Sequence, residues 1–348
     1  MTGRAAAVQG GLAVVGLLAA HLTWQREPEH APGSVTVIDA NKNDVTQIHY
    51  ADQHNTVDFS RGQADNGPAV WIHLVPNADD AAQGAKTAAK TSTPPKSAPP
   101  APPRDLLGGE PATKVFDQFA PLVSPRAFGA LDAAKLKELG LEAPTRKLDI
   151  TVKGDVRHYV IGQPDKAPGG EAFLRDQRDG KVYLMPRGML ADLQNPNHLV
   201  DRRLHAFEQG DFDRMVLSAG GKSKEYVQLD RQARAKAAFA PAKSPDKHDQ
   251  MAKNWHDAVW RLFPSEILGR GEDPPGGKPT VALRVDYYDG KTSIGFMELG
   301  REASSSAVSE EAPPSGDIYA RTEHSAGWLK VHNGPQLLAD AQKLLAGQ

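Results

Sequence analysis

Asn43, Asp44, Val45, Thr46, Gln47 and Ile48 open a period-2 stretch, and Gly210, Asp211, Phe212, Asp213, Arg214 and Met215 open another in the same manner. Each places an acid beside a strand entry, and the elements after each keep the same order. After the first come alternating apolar positions at Thr46, Ile48 and Tyr50, at Val57 and Phe59, and at Val70, Ile72 and Leu74, which read as a three-strand meander. A helix comes next, with Thr113 as N-cap and Val115, Phe116, Phe119 and Leu122 on one face. Asp132 caps a second short helix over 133–139, closed by Gly140. Leu148, Ile150 and Val152, then 158–161 and 182–185, are strands around the turns at Gly154 and Gly180, and 189–193 is a terminal helix.

The second half repeats this plan. An aromatic helix at 255–263 carries Trp255, Trp260 and Phe263 on one broad buried face. A strand pair at 281–287 and 293–297 flanks the turn Asp289, Gly290. Trp328 to Val331, then Leu337, Leu338, Ala339 and Asp340, echo 182–185 and Met189, Leu190, Ala191 and Asp192. The fold expected is α+β: two tandem copies of a mostly antiparallel β-meander plus helix unit, over 35–195 and 196–348, behind one N-terminal transmembrane helix.

That helix is residues 5–24, twenty positions without a formal charge, enough at about 1.5 Å per residue to cross a hydrocarbon core of roughly 30 Å. Gln9, His21 and Thr23 dilute it, and its strongest part, 12–20, also has the length of a signal-peptide core. No small-residue cleavage pattern occurs at Leu17, Leu18, Ala19, Ala20 and His21, so an uncleaved anchor is the reading taken. Arg4 on one side and a mixed Arg26, Glu27, Glu29 flank on the other leave residues 1–4 cytoplasmic. The expected location is the inner (cytoplasmic) membrane, single-pass, with the body in the periplasm or cell exterior. Residues 25–34 form a tether interrupted by Pro28, Pro32 and Gly33. Two inserts are expected: a disordered Pro/Ala-rich one at 77–111, with Pro94, Pro95, Pro99, Pro100, Pro102 and Pro103, and a polar one at 301–315.

Composition narrows the function classes. With 41 basic and 43 acidic side chains the net charge is -2, which offers no field for nucleic acid. There is no cysteine, which excludes disulfides, thiolate metal sites and cysteine nucleophiles.

The search for chemistry yields no catalytic, cofactor-binding or metal residue. The segment from Gly271 to Thr280 has the outline of a phosphate loop, but Glu272 and Pro279 stand where a glycine and a hydroxyl belong, so it reads as a turn before a strand. Among the 12 histidines, His198 and His205 with Asp201 and Glu208 form the densest group, without metal-site spacing, and read as a hydrogen-bonded loop. His49 and His54 lie in or beside an outer strand near Asp52 and Asp58 and read as surface histidines. No GxSxG occurs, and Ser304 to Ser306 fall in the polar insert. Glu310 with Glu311, and Asp211 with Asp213, read as solvating charges. Tyr287 and Tyr288 point to opposite faces of a strand, one inward and one free for an interface.

The run Ala133, Ala134, Lys135, Leu136, Lys137, Glu138, Leu139, Gly140, Leu141, Glu142, Ala143, Pro144, with 148–152, Val160, Ile161, Gly162, Val182, Tyr183 and Leu184, resembles a bacterial family without assigned activity, domain of unknown function 4340. Asp201 to Phe207 with 211–216 is similar to that family's junction between repeats. The resemblance implies a membrane-anchored accessory, often of ABC-transporter components of the gliding-motility type, and it brings no catalytic residues. The two inserts depart from the family pattern.

The expected function is a non-enzymatic, membrane-anchored extracytoplasmic scaffold or interaction module, accessory to an ABC-transporter or envelope assembly. Its partners would be membrane lipid through residues 5–24 and a protein of the cell envelope, with no nucleic acid and no cofactor. The alternatives are a module binding cell-wall or surface polysaccharide, which needs exposed aromatics at equivalent places in both copies, and an uncharacterised hydrolase.

Overall fold

A computed structural model describes residues 33–65, 67–77, 102–164, 170–231, 237–302 and 317–347. The expected cytoplasmic residues 1–4, the anchor 5–24 and the tether apart from Gly33 and Ser34 lie outside them. Among the described residues no helix is long and apolar enough to cross a membrane.

The strands are β1 (Val35–Ile38), β2 (Val45–Ala51), β3 (Asn55–Ala64), β4 (Gly67–Pro76), β5 (Arg104–Gly108), β6 (Leu122–Ser124), β7 (Ala127–Ala130), β8 (Arg146–Val152), β9 (Asp155–Gly162), β10 (Phe173–Asp176) and β11 (Lys181–Leu184) in the first half. The second half holds β12 (Arg214–Ala219), β13 (Lys222–Leu229), β14 (Ala238–Pro241), β15 (Pro264–Ile267), β16 (Thr280–Asp289), β17 (Thr292–Arg301), β18 (Ile318–Thr322) and β19 (Leu329–Val331). Helices are α1 (Glu110–Gln118), α2 (Ala133–Glu138), α3 (Met189–Gln194), α4 (Gln250–Trp260) and α5 (Gly334–Ala346). The structure is mostly strand, with antiparallel sheets and helices packed on them, consistent with an α+β arrangement.

The first sheet runs β5-β4-β3-β2-β8-β9-β10-β11-β7 and the second β14-β13-β12-β16-β17-β18-β19-β15. With β5 set aside, the two orders correspond place for place. Period-2 alternation sends Ile48, Tyr50, Val57, Phe59, Leu148, Ile150 and Tyr159 to one face of the first sheet, where Val115 and Phe116 of α1 and Met189, Leu190 and Leu193 of α3 cover them. In the second sheet Met215, Leu217, Val285, Tyr287 and Met297 pack likewise on Trp255 and Val259 of α4 and Leu337, Leu338 and Leu344 of α5. The Trp255 indole N–H donates to the Leu337 carbonyl at 2.9 Å and joins those two helices. On the opposite face of the first sheet, α2 covers only one end, where its Leu136 packs against Leu141, Val160, Phe173 and Val182. Asp132 caps α2 by accepting from the Lys135 N–H at 2.9 Å, and Gly140 leaves it at φ +70, as the sequence implies.

Several boundaries differ from expectation. The insert read at 77–111 ends earlier: 104–108 is strand β5, with Leu106 and Leu107 buried, and residues 78–101 lie outside the described residues. Two leucines after a proline run carry too little periodicity to announce a strand. Thr113 is not a cap but sits inside α1, which starts at Glu110 with a proline in its first turn. Of the polar insert at 301–315, Arg301 is the last residue of β17, Glu302 accepts a hydrogen bond from the Gly276 N–H, and 303–316 lie outside the described residues. The aromatic helix stops at Trp260, so Phe263 is 63% exposed rather than part of its buried face. His49 lies on β2, an inner strand flanked by β3 and β8, not an outer one.

Candidate functional site at the junction of the two sheets

Between the sheets the chain passes through residues 200–213, and β5 is fastened to both sides of that passage. The Gly109 N–H donates to the Leu199 carbonyl at 2.8 Å, and the Asp201 N–H to the Leu107 carbonyl at 2.8 Å. From the second half, the Arg270 N–H donates to the Asp105 carbonyl at 2.8 Å. Arg104 reaches Glu266 at 3.1 Å and Glu272 at 3.0 Å, and Ile267 packs against both cores. Gly269 must be glycine here, because a Cβ would lie 2.9 Å from the Asp105 amide nitrogen.

These contacts frame a cleft of about 670 Å³. The β3–β4 hairpin forms one wall, the start of α1 the floor, and Asp201, Arg203 and the 323–326 loop the other wall. Its buried acids, Asp201 and Glu323, are engaged. Asp201, 5% exposed, accepts from His324 at 3.0 Å and from the Arg203 guanidinium at 2.7 Å. Burial pushes its carboxyl up, but the hydrogen bonds from His324 and Arg203 outweigh burial and hold it well below the usual carboxylate range. Glu323 accepts from His205 at 3.1 Å and from the Ala206 and Phe296 backbone N–H groups, each at 3.1 Å. The same balance of burial against those bonds leaves it lowered. Neither acid is poised to take a proton at neutral pH.

Two of the cleft's three arginines are held against aromatic rings. Arg270 lies 4.1 Å over the partly exposed Trp71 ring, and Arg61 lies 4.4 Å over Phe116 while donating to the Val45 carbonyl at 3.1 Å. Such a surface can recognise, and among the described residues that line it no nucleophile is hydrogen-bonded to a base.

The residues singled out from sequence scatter. His198 pairs with Asp192 at 3.0 Å, away from His205. Glu208 and Asp211 form a turn, the Glu208 N–H donating to Asp211 at 2.7 Å, and Asp213 accepts from the Gly290 N–H at 3.0 Å. Asp52 accepts from the His54 N–H at 2.8 Å, and His49 pairs with Asp58 at 2.6 Å. Tyr287 is fully buried, while Tyr288 carries Arg214 over its ring at 4.1 Å, as alternation implies. Ser304 to Ser306, Glu310 and Glu311 lie outside the described residues. Among the described residues no three His, Asp or Glu side chains converge to hold one metal ion. Sequence reasoning missed Trp71, Arg270, Glu323 and His324, which come from separate segments with no shared motif.

No curated protein matches the chain, and no solved structure does. Residues 123–260, running from β6 through the passage between the sheets to the end of α4, match the family described as Domain of unknown function (DUF4340).

Proposed function

We propose that this chain is a non-enzymatic interaction module, anchored in the inner membrane through residues 5–24, which holds a protein of the cell envelope, of the ABC-transporter-accessory kind, in the cleft at its junction. The observation that carries the reading is the Arg270–Trp71 stack at 4.1 Å within a 670 Å³ cleft whose buried acids are already committed. Tryptophan and arginine supply most of the strong anchors in protein interfaces, and stacking pre-orders both.

The body is read as two tandem copies of one unit. The matching strand orders support this, and so does agreement at single residues. Val45, Ile48 and Tyr50 are fully buried on β2, as Phe212, Met215 and Leu217 are before and along β12. Asp44 accepts from the Asn41 N–H at 3.0 Å and Asp211 from the Glu208 N–H at 2.7 Å, the same three-residue turn before each strand. A glycan-binding role asks for exposed aromatics at matching places. The strand matching that of Trp71 is β14, whose Phe239 is buried.

The test is a photo-crosslinking amino acid at Gln63, on the cleft wall, in cells, with mass spectrometry of the adducts. Envelope subunits recovered with the wild type and lost in Trp71→Ala/Arg270→Ala support the reading. Adducts that persist in that variant, or no adduct above background, refute it.

A further inference from the structure

Across the open face of the first sheet, six strands place one residue each in a single row. Asp105 stands opposite His73, His73 opposite Asp58, Asp58 opposite His49, His49 opposite Asp149, and Asp149 opposite His158. Acid and imidazole alternate without a break from β5 to β9. Within the row the side chains pair in one sense. His73 Nδ1 meets Asp105 at 2.7 Å, His49 Nδ1 meets Asp58 at 2.6 Å, and His158 Nδ1 meets Asp149 at 2.8 Å. All six side chains are partly exposed, since α2 covers only the far end of this face.

A carboxylate on Nδ1 fixes the tautomer in which Nε2 carries the lone pair, the arrangement found behind metal-ligating histidines. Among the described residues, Nε2 of His73 and His49 and Oδ2 of Asp58 and Asp149 have no hydrogen-bond partner. Each free imidazole nitrogen therefore stands one strand away from a free carboxylate oxygen. Strands lie about 4.8 Å apart, and two zinc bonds of about 2 Å each reach about 4 Å at most, so the imidazole and the carboxylate have to lean together by about 1 Å or more to share one ion.

We infer that this face binds two zinc-class divalent ions, one between His73 and Asp58 and one between His49 and Asp149, with solvent completing each shell. His158 has no carboxylate after it: the next strand places Gln177 beside it, whose N–H donates to the His158 carbonyl at 3.0 Å. His158 thus positions Asp149 and ligates nothing.

The row is not something the sheet needs in order to form. At the corresponding places of the second sheet stand Glu225, Val216, Asp286 and Phe296, again in register. The acids recur, each turned to an arginine, Glu225 to Arg214 at 3.1 Å and Asp286 to Arg284 at 2.9 Å, while valine and phenylalanine replace the histidines.

The experiment is calorimetric titration of the purified full chain with Zn²⁺, and with Mg²⁺ as the oxygen-preferring control. The wild type should take up two more zinc ions than His49→Gln/His73→Gln, each single variant should lose one, His158→Gln should keep both, and Mg²⁺ should give no heat. Asp58→Asn and Asp149→Asn should each lose one ion, which keeps the test open if a histidine variant misfolds. Equal zinc uptake by the wild type and the double variant, or loss of an ion in His158→Gln, overturns the assignment.

Discussion

His256 should make the second sheet acid-sensitive. It lies on α4 with no exposed surface, and its ring is surrounded by Phe239 at 4.8 Å, Phe212 at 5.3 Å, Trp260 at 5.5 Å and Tyr287 at 5.8 Å between centroids. Among the described residues its Nε2 has no hydrogen-bond partner, and its Nδ1 is 3.4 Å from the Gln209 side-chain nitrogen. Burial pushes the imidazole down to about 3, with Asp257 opposing and His205 and Lys253 reinforcing the shift. The unfolded chain takes a proton at the ordinary value of about 6.5, which the folded chain refuses until far lower pH. Stability is therefore complete above about 6.5 and is lost as pH falls from there toward about 3. At pH 5 the unfolded state is favoured by about 1.5 pH units of proton binding, or about 2 kcal/mol. Urea unfolding monitored by tryptophan fluorescence at pH 7.5 and 5 measures this, with His256→Phe as the non-titrating comparison. The wild type should lose about 2 kcal/mol more than the variant over that interval. Equal losses in the two proteins would refute the reasoning.

Trp255→Ala should destabilise by about 3–5 kcal/mol, since a nearly buried indole and its bond to the Leu337 carbonyl are both lost; Trp260→Ala should cost less, its side chain being partly exposed, and the same unfolding curves compare them. Gly334→Ala puts a Cβ onto the Ile318 side chain at the start of α5, for about 1–3 kcal/mol and a lower Tm by calorimetry. Asp201→Asn should cost about 1–3 kcal/mol at neutral pH by weakening the bonds to His324 and Arg203. Because the folded Asp201 carboxyl is held low, that difference should persist above the ordinary carboxylate range and shrink as pH falls below it, which unfolding curves from pH 7 to pH 2 would show.

How much of this was legible depended on where each signal resides. Alternation within a strand is local, so β2, β3, β4, β8, β9, β16 and β17 could be read from runs such as Ile48 and Tyr50 or Leu148 and Ile150. Short strands lack a period: β6, β7, β10 and β15 have three or four residues and are defined by their partners. β5 is the plainest case, since Leu106 and Leu107 are both buried and alternation between them vanishes. The cleft was illegible for a related reason, as Trp71, Asp201, Arg270 and His324 meet only after both sheets have formed.

The acid–imidazole row shows what register adds to composition. His49 beside Asp58 reads, on sequence alone, as a surface histidine near an acid. Its meaning changes once β2 is seen to pair with β8 as well as β3, because a one-residue slip of any strand would turn that strand's member of the row into the core. The register is fixed from below, by Ile48, Tyr50, Val57, Phe59, Leu148 and Ile150 packed under α1 and α3. The same buried pattern underlies Val216 and Asp286 in the second sheet, yet no histidine stands there. Packing on one face therefore dictates where the row lies but not what it contains. The histidines of the first sheet call for a reason on its open face, and ion binding supplies one that the second sheet does not share.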